Sequence, residues 1–246
     1  MLETAYAAQT GNPRDCIIVA LDCPPAEAIS LADKLVGHAT WLKVGMTLFY
    51  KAGPVIIEEL HKQGFNIFLD LKLYDIPHQV EGAAASAAST GADLLSLHAL
   101  GGPTMVQAAQ AGIAALKQEK VTETVAITIL TSFDNETLER VGIEKPLDVE
   151  VDTLASLAIE SGANGLVCSP QEVGKLRELL GTSPRIVTPG VRPAGTAAGD
   201  QSRIATPADA LMAGASQLVI GRPITGVADP IAAFDACLKE VEEVLK

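Results

Sequence analysis

Short β-rich runs alternate with Ala-rich stretches of helical periodicity from one end of the chain to the other. The runs that predict strands are Cys16–Leu21, Trp41–Val44, Asn66–Leu71, Leu94–Leu97, Thr124–Ile129, Gly165–Cys168, Arg185–Thr188 and Gln217–Ile220. Amphipathic stretches between them, among them Pro25–Leu35, Val80–Thr90, Met105–Gln118 and Thr153–Ser161, predict helices. Eight strands, each followed by a helix, are the βα repeat of a closed parallel barrel. The expected fold is therefore α/β: one (β/α)8 TIM barrel over residues 1–246, with residues 1–13 as a loose N-terminal arm.

A local repeat supports that frame. Gly91-Ala92-Asp93-Leu94, Gly162-Ala163-Asn164-Gly165 and Gly214-Ala215-Ser216-Gln217 each place a helix-ending glycine a few residues before an apolar strand. A doubly wound open sheet could show the same alternation. Eight strands and the lack of a Gly-rich dinucleotide fingerprint after the first strand favour the barrel. One irregular segment, Pro189–Ile204, is long enough to suggest an active-site lid or gripper.

Composition narrows the class. Hydrophobic residues make up 48% of the 246 residues and aromatics 4%, which suits layered barrel packing and a core needing neither disulfide nor metal. Cys16, Cys23, Cys168 and Cys237 form no CxxC pair and read as reduced, mostly buried fillers. The formal charge of −12 disfavours nucleic acid or an anionic membrane as a partner. With no apolar stretch of membrane-spanning length and no basic-then-apolar leader pattern, the cytoplasm is the default location.

Polar residues gather where the predicted strands end, the face on which such barrels carry their chemistry. Asp22 ends the first strand, Lys43 lies near the end of the second, and Asp70, Lys72 and Asp75 close the third. His98, read as a rim hydrogen-bonder, ends the fourth, and Thr131 follows the fifth. Strand alternation sends Asp70 and Lys72 into the barrel and Leu69, Leu71 and Leu73 toward the helices. An isolated D-x-K would serve equally well as a structural ion pair. Two acids and two lysines on one rim point to catalysis instead, although spacing alone leaves the destination of Asp75 open. Gly221-Arg222, where a strand runs into a helix start, is suited to hold an anion, and Pro189-Gly190-Val191-Arg192 offers a second arginine beside it.

These stretches resemble the orotidine 5′-phosphate decarboxylase family. Asp70-Leu71-Lys72-Leu73-Tyr74-Asp75-Ile76-Pro77 is similar to its D-x-K-x-x-D-I-P signature. Ile18–Asp22 and Trp41–Gly45 resemble its first two strands, Thr188–Pro193 with Gly199–Ile204 its seventh loop, and Val219–Thr225 its eighth. The resemblance implies decarboxylation of a small nucleotide without metal or organic cofactor. Lys72 would be the proton donor within a catalytic network of Lys43, Asp70, Lys72 and Asp75. It implies a homodimer in which Asp75 reaches across to the other subunit's site, and it places Ile76 and Gln79 among the substrate-binding residues, Gln79 at a ribose hydroxyl. Asp22 would bind ribose hydroxyls, Thr131 the pyrimidine edge, Gln201 the phosphate and base, and Pro189, Arg192, Gly221 and Arg222 the phosphate end. One departure stands out: His78-Gln79 replaces the family's usual Asn-Thr after D-I-P. Sister barrels with the same D-x-K-x-x-D core stabilise an enediolate on Mg2+, and a non-catalytic nucleotide sensor is a further alternative. The two phosphate loops argue against the first, and the intact four charges against the second.

Overall fold

In the computed structural model, which describes residues 2–193 and 205–246, eight parallel strands follow one another around a closed barrel. They are β1 (Ile17–Ala20), β2 (Trp41–Gly45), β3 (Asn66–Leu73), β4 (Leu94–His98), β5 (Glu123–Ile127), β6 (Gly165–Val167), β7 (Arg185–Pro189) and β8 (Gln217–Ile220). The last strand pairs back onto the first, Ile17 opposite Leu218 and Val19 opposite Ile220, so the sheet has no open edge. The expected (β/α)8 class holds.

Alternation along the strands builds two apolar layers. Ile18, Phe68, Val125, Val187 and Val219 pack against one another inside the barrel. Their odd-numbered or even-numbered neighbours, such as Ile17, Leu69, Leu95 and Ile186, join the larger cluster between strands and helices. Helix Pro25–Leu35 has the expected bounds. Three others start earlier than periodicity suggested, at Pro77–Ser89, Gly102–Ala114 and Leu147–Glu160. In each, a proline sits at or just before the first turn, where its missing N–H leaves nothing unsatisfied.

The start of the chain is not a loose arm. Ala5 and Ala7 are fully buried, and Ala7–Thr10 is helical. The Tyr6 N–H donates to the Ser216 carbonyl at 2.9 Å. Its ring stands edge-on to Trp41 at 5.9 Å, with the Arg185 guanidinium 4.0 Å from the Tyr6 ring centre. This segment plugs the N-terminal end of the barrel, where interior side chains would otherwise face water. A stretch so short carries no periodicity, which is why the sequence reads as unstructured there.

β3 departs from regular pairing near its C-terminal end. Leu69 pairs with Leu95, but Leu73 pairs with Leu97. Four residues of β3 thus span two of β4, and Lys72 sits in this bulge with φ +53°, a left-handed backbone that is rare outside glycine.

Candidate active site

A cavity of about 380 Å3 opens at the C-terminal ends of the strands. Its apolar floor includes Ala20, Phe68, Ile127, Val167 and Val219. The ends of β1, β2 and β3 bring Asp22, Lys43, Asp70 and Lys72 to its wall, and the segments after β5, β7 and β8 bring Thr131, Pro189, Arg192, Gly221 and Arg222.

The four charges form a chain of alternating sign. Lys43 Nζ lies 2.7 Å from Asp22 Oδ1 and 3.6 Å from Asp70 Oδ2. Lys72 Nζ donates to both Asp70 oxygens at 2.8 Å. Opposite charges this close attract by about 4–6 kcal/mol at an effective dielectric of about 20, offset by the cost of desolvating them. Asp70 and Lys43 are both buried. Burial alone would raise the Asp70 pKa. Lys43, then Lys72, together with hydrogen bonds from Lys72 and Ser96, outweigh burial and hold the carboxyl below its ordinary value. The site therefore keeps a buried carboxylate ionised between two ammonium groups. Gly45 makes room for this, since a Cβ there would fall 2.9 Å from Lys43 Nζ and 3.1 Å from Asp22 Oδ1.

Spacing did not reveal Ser96. The residue is fully buried, donates to Asp70 Oδ1 at 2.8 Å and accepts the Lys72 backbone N–H at 2.9 Å. The available signal was a small polar residue at an inward position of the otherwise apolar run Leu94–Leu97.

Three of the expected site residues do not reach this cavity. Asp75, Ile76 and Gln79 are exposed. The Asp75 carboxylate accepts the Ile76 N–H at 2.6 Å, and both residues line a separate shallow depression with Tyr74, Pro77, Leu100 and Gly101. Within one chain, three of the four network members besides Asp22 converge, namely Lys43, Asp70 and Lys72. Asp75 lies past the strand end, on the loop that enters the helix Pro77–Ser89. Gln201 lies outside the described residues, as does most of the Pro189–Ile204 segment. The two sides of that stretch meet at the rim, where the Arg192 N–H donates to the Ala205 carbonyl at 3.0 Å. His98 is the rim hydrogen-bonder the sequence suggested, its Nδ1 accepting the Leu100 N–H at 3.3 Å.

At the other end of the cavity, β8 runs through Gly221 into the single helical turn Arg222–Thr225. Arg192 and Arg222, one on each of two neighbouring loops, line this end of the cavity above the apolar floor, which suits it to an anion. Among the described residues, no three His, Cys, Asp or Glu side chains are grouped to hold a metal ion.

Known proteins are similar to this one over nearly the whole chain. The pattern of the family described as "Orotidine 5′-phosphate decarboxylase / HUMPS family" matches residues 15–237. The orotidine 5′-phosphate decarboxylase of Halorhodospira halophila is 50% identical over 94% of this chain and 97% of its own length. That of Moorella thermoacetica is 47% identical over 95% of this chain and 94% of its own. A crystal structure of orotidine 5′-phosphate decarboxylase from Lactobacillus acidophilus superposes with a TM-score of 0.82 at 40% identity, covering 92% of this chain and 98% of that one. The 246-residue chain is a carboxy-lyase that belongs to the orotidine 5′-phosphate decarboxylase family.

Proposed function

We propose that this protein converts orotidine 5′-phosphate to uridine 5′-phosphate and CO2, a step of de novo pyrimidine biosynthesis, with Lys72 protonating C6 and no metal or organic cofactor. The observation that carries the reading is that Lys43, Asp70 and Lys72 share one cavity with Arg192, Gly221 and Arg222.

The chemistry sets the demand. When the bond from C6 to the carboxylate breaks, the electron pair stays on C6 and CO2 departs, leaving a carbanion with no adjacent electron sink. A fixed ammonium beside C6 stabilises that charge as it develops, and needs no reorganisation because Asp70, itself paired with Lys43, already holds it in place. Lys72 then gives its proton to C6 as general acid and regains one from water. The Asp70 carboxylate near the substrate carboxylate adds repulsion that CO2 loss relieves. Arg192, Gly221 and Arg222 take the phosphate, Pro189 closes that end, and binding of the distant phosphate supports the transition state. Asp22 accepts from ribose hydroxyls, Thr131 meets the pyrimidine edge, and Gln201 reaches the phosphate and base. A second copy of the chain supplies Asp75, Ile76 and Gln79. The exposure of all three supports this, because a residue turned away from its own cavity is available to a neighbour's. Gln79 then donates to a ribose hydroxyl in place of the usual threonine.

The test is the ultraviolet absorbance of orotidine 5′-phosphate with the purified protein. Turnover is expected, and a chelator should leave it unchanged. Lys72→Ala should lower kcat by at least about 10³-fold while uridine 5′-phosphate still binds. Parental turnover in Lys72→Ala removes the proton donor; activity lost in the chelator and restored by Mg2+ favours the sister chemistry.

A further inference from the structure

We infer that Ser96 is a positioning residue for this reaction, the single hydroxyl that holds Lys72 in the left-handed backbone conformation from which its ammonium reaches Asp70. The inference rests on Lys72 being the proton donor proposed above.

The bulge in β3 creates the need for such a hydroxyl. Between Leu69 and Leu73 the strand carries more residues than its partner β4 can pair, so the Lys72 N–H loses its place in the ladder. A buried N–H without an acceptor is costly, and Ser96 Oγ supplies one at 2.9 Å. A hydroxyl has one proton to give, and here it goes to Asp70 Oδ1 at 2.8 Å. One side chain thus ties together the backbone of the proposed acid and the side chain of the carboxylate that pairs with it. Without that tie, a lysine has little reason to stay at φ +53°, since the left-handed region is disfavoured for residues with a Cβ. With its N–H released, the backbone at Lys72 would relax within the bulge and its Nζ would shift relative to the two Asp70 oxygens it now spans. Ser96 is fully buried and does not line the cavity, so it acts through Lys72 and Asp70 and not on the substrate.

Loss of the Ser96 hydroxyl should affect rate and binding unequally. Ser96→Ala should lower kcat by about 10- to 100-fold, the scale of an ångström-sized misplacement of a reacting group. KM for orotidine 5′-phosphate and Kd for uridine 5′-phosphate should move by less than about threefold, because the phosphate and ribose contacts lie elsewhere. Ser96→Thr, which keeps the hydroxyl, should recover most of kcat. The inference is overturned if Ser96→Ala keeps kcat within about twofold of the parent. Equal losses in the alanine and threonine variants, or a fall in nucleotide affinity matching the fall in kcat, would overturn it as well. Lys72→Ala measured alongside keeps the two ideas apart. If that variant retains turnover, the proton-donor reading fails whatever Ser96 does. If it is inactive while Ser96→Ala is normal, only the positioning role fails.

Discussion

His98 closes β4 two residues beyond Ser96, with its ring centre 5.6 Å from that of Tyr74 and its Nδ1 accepting the Leu100 N–H. Burial first, and then the Lys72 ammonium, lower its pKa from the ordinary value. Below about pH 6.5 the unfolded chain binds a proton here that the folded chain refuses, so this residue's contribution to stability falls as the pH drops through that range. Asp70 acts in the same direction at lower pH: its folded pKa is depressed, and its contribution, present above the ordinary carboxylate range, is lost as the pH falls toward the folded value. Urea midpoints measured from pH 7 to pH 5 should therefore decline, and His98→Asn should decline less over that window. An unchanged slope in the variant would remove His98 from the effect. At this scale, the sequence located the charges but not what holds them. Alternation correctly sent Asp70 and Lys72 inward, yet a left-handed lysine leaves no trace in residue type, because the usual signal for that conformation is glycine or asparagine. Ser96 was hidden for the same reason, since its partner is a backbone N–H freed by that conformation.

Among the elements, the helices Pro77–Ser89 and Gly102–Ala114 approach unusually closely. A Cβ added to Gly112 would collide with the Glu81 backbone carbonyl, which has no flexible end to swing aside. Gly112→Ala should therefore cost about 1–3 kcal/mol of stability as the helices are forced apart. That corresponds to a fall in Tm of roughly 2–4 °C per kcal/mol for a protein of this size. Activity per folded molecule should survive, because the contact lies outside the barrel, and calorimetry with a parallel assay checks both. Strand positions were legible because continuous apolar runs between glycines mark strands well. Their ends were less so: β3 runs on to Leu73 because the bulge carries the pairing past the charged pair, and β5 stops at Ile127 although Ile129 is also buried. Helix starts were missed at Pro77, Gly102 and Leu147, where the periodicity becomes visible only a turn or so later.

For the whole molecule, the question is how many chains make a site. Tyr74, Ile76 and Leu100 expose apolar surface around Asp75, on the rim next to the cavity. In the shared-site reading, Lys72→Ala and Asp75→Ala chains are each inactive alone. Mixed after dissociation, half the dimers are hybrids with one intact site each, so about a quarter of parental activity should return. No recovery despite demonstrated hybrids would sink the exchange of Asp75. The barrel itself was legible from eight alternations of strand and helix, but the plug beneath it was not. Residues 5–7 find their partners around Trp41, Arg185 and Ser216, and no local pattern announces contacts so distant in the chain.

Beside that plug the first and last strands are tied together, for Gln217 Nε2 donates to the Asp15 carbonyl at 2.8 Å. The seam from β8 to β1 can form only after β8 has left the ribosome. Until then the growing sheet has two bare edges, and Tyr6 has no Ser216 to dock against. The nascent chain is thus most exposed to faulty strand pairing just before its last strand arrives, and completion of that strand shuts both edges and the floor together.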